Sequence, residues 1–230
     1  MSDKLILSGQ RALKWLEDHG YGFTDDIQPE SSSQRFASGG SYGVEMPVIN
    51  NLETLQKTIH ILRNEGVYVT RFNETHGAFL LCDSEIREML ELCAEEKYGI
   101  IFGLGPRPEY DRRAAFYRSA FGMEQKRQIN NHDALRASIT DALRLASLGC
   151  KGLIVYDLGI LRVLNAMRLE GELPQDMIFK VSSHCMVSNP MLAEIHVENG
   201  ANSLTVTHDV GLPILQYMRS VAPNASLDVP

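Results

Sequence analysis

At 230 residues, with 44% hydrophobic and 22% charged side chains, the chain has the size and composition of one globular domain with an ordinary core. A net charge of −7 excludes a generic nucleic-acid surface, which needs clustered Lys and Arg to displace counterions. No run of about 20 apolar residues could span a bilayer, so no membrane partner is expected.

The opening Met1–Lys4 leads into an amphipathic segment instead of a continuous apolar one, so no signal peptide is expected. Across Asp3–His19, Leu5, Leu13 and Leu16 recur at helical spacing beside Ala12 and Trp15, and Gly20 supplies a stop. Gly20–Gly40, rich in Gly, Ser, Asp and Gln, reads as a loop. Residues 1–40 are therefore expected to form an N-terminal helix and loop ahead of the main fold.

From residue 41 a repeating unit begins, in which a short apolar strand ends in polar residues. Tyr42–Met46 is predicted as the first strand, and Leu52–Asn64 as a helix closed by Gly66. Val67–Phe72 is the second strand. Asp83 is expected to cap a helix over Ser84–Lys97, with Glu85 and Glu88 in its early turns where the macrodipole favours acids. Ile100–Gly103 has the continuous apolar character of a buried parallel strand.

A longer excursion, Gly105–Asn130, contains Arg107 and a local cluster of Arg112, Arg113, Arg118, Lys126 and Arg127, which reads as a solvated face. Asn131 then caps a helix whose stripe is predicted as Leu135, Ile139, Leu143 and Ala146. Gly152–Tyr156 is the fourth strand, followed by a helix over Leu158–Arg168. Ile178–Val181 is the fifth. Asn189 and Pro190 open the next helix, with Pro at the first position, where its missing N–H costs nothing. Leu204–Thr207, a helix around Ile214–Ser220 and a last strand from Ser226 complete the series.

Seven such units predict an α/β fold, a TIM-barrel-like parallel barrel over residues 41–230 that is incomplete or truncated at its C-terminal end. In a parallel barrel all strand C-termini open onto one face, so their polar ends should share a pocket. Those ends are Glu45; Arg71, Asn73 and Glu74; Arg107; Asp157; Ser182, Ser183 and His184; His208 and Asp209; and Asp228.

The chemistry these residues offer follows from type. His184 is a candidate general acid or base, because imidazole exchanges protons near neutral pH. Asp157, His208 and Asp209 are further catalytic candidates, although Asp157 reads equally well as a helix N-cap. Glu45, His208, Asp209 and Asp228 supply nitrogen and oxygen donors suited to a divalent metal. Arg71 and Arg107 would present guanidinium groups to an anionic substrate, or else pair with Glu45 or Glu74. Asn73 and Ser182 complete the expected substrate contacts.

The four cysteines, Cys82, Cys93, Cys150 and Cys185, are scattered without a CxxC pair, which points to reduced thiols in the cytoplasm. Cys185 beside His184 invites a dyad reading, but neighbours on a strand diverge and buried Cys is a common apolar filler.

Three segments carry a family resemblance: Leu153–Leu161 (LIVYDLGIL), Val181–Asn189 (VSSHCMVSN) and Asn199–Val206 (NGANSLTV). Over residues 152–215 the chain resembles the collagenase-like peptidase family (family U, number thirty-two). The resemblance implies a TIM-barrel-like domain with a peptidase label, Asp157 and the Ser182–His184 strand end falling on rim positions. The family also includes proteins that take part in hydroxylation of RNA or ubiquinone, some with iron–sulfur clusters. The reading that follows is an enzyme acting on a small polar or peptide-like substrate. The rivals are a metal-dependent lyase or aldolase on a carboxylated substrate, and a non-catalytic barrel subunit of a larger complex; a homo-oligomer is a separate expectation.

Overall fold

A computed structural model of the chain describes residues 3–21, 32–36, 38–106 and 128–230. Seven short strands, β1 (Glu45–Met46), β2 (Arg71–Glu74), β3 (Gly99–Gly103), β4 (Gly152–Val155), β5 (Ile178–Val181), β6 (Ser203–Thr205) and β7 (Ser226–Asp228), form one sheet in chain order. Every neighbouring pair is parallel. The sheet curls into a half-barrel alternating with helices, an incomplete TIM-barrel-like α/β fold.

The helices among the described residues are α1 (Asp3–Asp18), α2 (Leu52–Glu65), α3 (Asp83–Glu95), α4 (His132–Ser147), α5 (Leu158–Glu170), α6 (Pro190–Glu198) and α7 (Leu212–Val221). Within the described residues, no helix is long and apolar enough to cross a membrane.

Several boundaries follow from local chemistry. Asn51, Asn131 and Asn189 each hold extended backbone and accept an N–H from the first turn of α2, α4 and α6, at 2.8, 2.8 and 3.0 Å. Gly66 closes α2 at φ 65°, in the left-handed region where a Cβ is costly, and its N–H reaches back to the last carbonyls.

The core lies between sheet and helices. Successive strand residues face opposite sides, so alternate positions form two separate surfaces. The outer surface carries Phe72, Phe102, Leu153, Phe179, Val181 and Leu204, all fully buried. Against it pack Leu55 and Ile59 of α2, Ile86 and Met89 of α3, Leu145 of α4, and Leu161 and Leu164 of α5. Each buried aliphatic or aromatic side chain of this kind stabilises by about 1.5–3 kcal/mol.

Three sequence expectations are corrected here. The second strand begins at Arg71, not Val67: Val67 and Tyr68 are half exposed, and Tyr68 stacks on Tyr98 at a ring separation of 5.3 Å. The residues before Arg71 are an approach to the sheet, entered through Thr70, whose N–H donates to the Val44 carbonyl at 2.7 Å.

Asp83 is the first residue of α3 and not its cap, which is Cys82. Its carboxylate instead accepts the Arg144 Nε–H at 2.7 Å and ties α3 to α4. The buried face of α4 is Ser138, Asp141, Ala142 and Leu145, and Leu143 of the expected stripe is exposed. Polar residues occupy this face because partners meet them: Asp141 accepts the Gly105 N–H at 3.2 Å and pairs with Arg144. Hydropathy alone cannot register that compensation.

Candidate functional site

The inner surface of the sheet is the converse of the outer one. Glu45 of β1, Arg71 of β2, Lys180 of β5, Ser203 of β6 and Asp228 of β7 point into the lumen and join in one network. Glu45 pairs with both Arg71 and Lys180. Lys180 Nζ also lies 2.9 Å from Asp228, and Arg71 Nη2 lies 3.1 Å from it. Ser203 donates to Asp228 at 2.5 Å and accepts from Arg71 at 3.0 Å.

Two cations thus meet two carboxylates, with Lys180 only 4% exposed. Burial pushes the Glu45 carboxyl upward, but the Arg71 and Lys180 charges outweigh it and hold the group below its ordinary value. Arg71 therefore takes the ion-pair role, with Glu45 and Asp228 and not with Glu74. Glu74 is fully buried and collects backbone N–H groups of His76, Gly77 and Gly103 at 2.6, 2.9 and 3.3 Å. Lys180 escaped the sequence reading, although a lone Lys inside the apolar run Ile178–Val181 was the available signal.

Above this floor opens a cleft of about 1370 Å³, lined by Asn73, Tyr156, Ser182, His184, Thr205 and His208 and extending to the β1 and β7 edges. It brings together His184, His208, Asn73, Ser182, Glu45 and Asp228 of the sequence-predicted set. His184 gets there through a short 3-10 turn, Ser183–Cys185, which replaces further strand. Ser182 starts that turn by accepting the His184 N–H at 3.3 Å. The His184 ring sits 5.9 Å from the Tyr156 ring, tilted by 51°.

Two buried polar atoms, Asn73 Oδ1 and Thr205 Oγ1, have no hydrogen-bond partner among the described residues. His208 and Asp209 are exposed at the rim, where the Thr207 hydroxyl draws the Asp209 carboxyl below its ordinary range.

Asp157 stands apart from this cleft. It caps α5 through the Ile160 N–H at 3.0 Å, and its other oxygen accepts the Ile129 N–H at 3.2 Å. It borders a separate cavity of about 10 Å³ with Leu104, Pro106 and Ile129. Both carboxylate oxygens of Asp157 thus accept backbone N–H groups.

Cys185 does not form a dyad arrangement with His184. Its Sγ approaches the Val155 carbonyl at 3.8 Å, and burial, aided by the Asp157 charge, pushes its thiol up to about 12. Such a thiol stays protonated and unreactive near neutral pH.

Glu45, His208, Asp209 and Asp228 do not assemble as metal ligands: among the described residues no group of three or more His, Cys, Asp or Glu could hold an ion. Arg107 lies outside the described residues, as does most of the Gly105–Asn130 excursion.

The chain is similar in structure to the U32 peptidase Mk0906, at 14% identity over 84% of this chain and 81% of that one, with a TM-score of 0.43. It is also similar to the YdjI aldolase from Escherichia coli K12, at 14% identity and a TM-score of 0.46; the match covers 82% of this chain and 64% of that one. No family model matches the sequence, and no curated protein matches it. At 14% identity neither likeness bears on activity.

Proposed function

We propose that this chain is an α/β-barrel enzyme that takes a small polar or peptide-like substrate into the cleft over its strand C-termini. His184 is the general acid or base in this reading, with Ser182 and Asn73 as binding groups and His208 as a second proton carrier at the rim. The observation that carries it is the convergence of Asn73, Tyr156, Ser182, His184 and His208, from four separate strand ends, on one cleft. That face is where parallel α/β barrels place their chemistry.

The peptide-like part of the reading is supported by the resemblance of this chain's Val181–Asn189 segment to the collagenase-like peptidases, although His184 itself departs from the family's pattern, which often has Gln there. All four cysteines are free thiols, which supports a reducing, cytoplasmic setting.

The test is consumption of a defined panel of dipeptides, N-acyl amides and small polyhydroxy compounds, followed by mass spectrometry. His184→Ala is expected to slow turnover about 10²-fold or more. Turnover of that variant at the wild-type rate removes His184 from the mechanism, and no consumption of any panel member by the wild type overturns the reading.

A further inference from the structure

We infer that the lumen end of the cleft binds an uncharged, hydroxyl-bearing molecule, of the polyol or sugar class, and not an anion. The inference rests on the reading of the cleft as the substrate site and adds the class of ligand.

Two observations carry it. The first is the charge state of the floor. A barrel site built for a carboxylate or phosphate needs a cation with donors to offer. At the lumen floor the two cations, Arg71 and Lys180, are each already held by both Glu45 and Asp228, and the other two guanidinium groups lining the cleft, Arg35 and Arg219, donate to backbone carbonyls. An added anion would meet these two partly buried carboxylates at close range, where like charges repel.

The second observation is the pair of orphaned atoms just above. Asn73 is 3% exposed, lines the cleft, and has its Oδ1 without a partner. Thr205 Oγ1 lines the same cleft and is likewise buried and unpartnered. Leaving buried polar atoms unpaired costs about 1–3 kcal/mol each, so native proteins satisfy them.

What would satisfy these two is set by their chemistry. Asn73 Oδ1 only accepts, so its partner must donate. Thr205 Oγ1 both donates and accepts, and the hydroxyls of Tyr156 and Ser182 share that capacity. A ligand presenting several hydroxyls has the same dual character at each group. It can donate to Asn73 and exchange bonds with Thr205 while bringing no charge near Glu45 or Asp228. An amide can also donate to Asn73 and accept from Thr205, but each of its groups has a single role, whereas each ligand hydroxyl can both donate and accept.

The experiment is isothermal titration of the full chain with glycerol, ribitol and glucose. The comparison ligands are glycerate, gluconate and glucose 6-phosphate, plus N-acetylglycinamide as an amide. Saturable binding of at least one neutral polyol is expected, tighter than its carboxylate or phosphate counterpart. Asn73→Leu and Thr205→Val, both close in size to the native residues, should each weaken that binding about five- to tenfold, as loss of one hydrogen bond does. The Thr205 variant keeps the test valid should Asn73→Leu fail to fold.

The inference is overturned if a charged analogue or the amide is the tightest binder. Unchanged affinity in Thr205→Val, or no saturable polyol binding up to about 50 mM, also overturns it. These outcomes separate from the catalytic reading. Binding of an anion or amide that His184→Ala cannot turn over sinks the ligand class and leaves the enzyme standing. Polyol binding combined with wild-type turnover by His184→Ala does the reverse.

Discussion

The two surfaces of the sheet are made by the same strands, often by adjacent residues, yet they have opposite character. Phe179 and Val181 face the helices and are fully buried in an apolar core, whereas Lys180 between them sits in a charge network. Phe72 likewise separates Arg71 from Asn73. The outer surface gains its stability from burial, which is non-directional and additive in area. The inner surface gains little from burying charge, since desolvation offsets most of the attraction, and it gains only if every partner is present. One side of the sheet therefore holds the main core, whereas the other carries the charge network on β1, β2 and β5–β7 and a small apolar cluster, Ile101, Ile154 and Tyr156, on β3 and β4.

The sharpest contrast is expected at neighbouring residues. Phe179→Ala should destabilise the chain by about 3–5 kcal/mol, measured as a shift in the urea midpoint. It removes a ring that fills the outer core and also supports the Arg168 guanidinium, 4.4 Å above its centroid. A loss under about 1 kcal/mol would mean that the outer surface is not the principal core.

Lys180→Met should cost about 3 kcal/mol by a different route, leaving Glu45 and Asp228 with Arg71 as their remaining cation. The distinguishing measurement is the double variant with Glu45→Gln. In a coupled network it should be destabilised by less than the sum of the single variants, whereas Phe179→Ala combined with Glu45→Gln should add. Additivity in the Lys180 pair would show that the network does not act as a unit.

The smallest expected effect probes the helix layer through pH. His196 on α6 is 2% exposed, donates its Nδ1–H to the Leu192 carbonyl at 2.7 Å, and has a buried Nε2 with no partner among the described residues. Burial lowers its pKa below the ordinary 6.5, partly opposed by the Leu192 bond. The unfolded chain therefore takes up the proton first, and stability is present above 6.5 and declines as pH falls below it. His196→Phe should flatten thermal stability between neutral and mildly acidic pH. An equal slope in both proteins would show that His196 is not the group responsible.

Much of the fold is written in local chemistry. Asn131 and the Asn189–Pro190 pair start their helices where their side chains dictate, because a cap involves atoms only a few residues apart. Strand β5 falls on Ile178–Val181 as the apolar run requires. His184, Ser182, Asn73 and His208 share a cleft as the barrel rule implies, since strand polarity alone carries residues after each strand to one face.

What no local pattern encodes is the partner of a side chain. Asp157 is a plausible acid by position, and its capping role is completed by Ile129, 28 residues away. Lys180 becomes a network member only through Glu45 and Asp228, which lie in different strands at opposite edges of the sheet.

The amino-acid order by itself thus determined the alternation of strand and helix, most helix starts and which polar strand ends share one face, since those rest on periodicity, capping and strand polarity over a few residues. The curl of the sheet decided the rest. By bringing both edges over one lumen it paired the charges and left Asn73 Oδ1 and Thr205 Oγ1 without partners among the described residues. Electrostatic and hydrogen-bond partners are chosen by distance in space, which strand order alone does not specify.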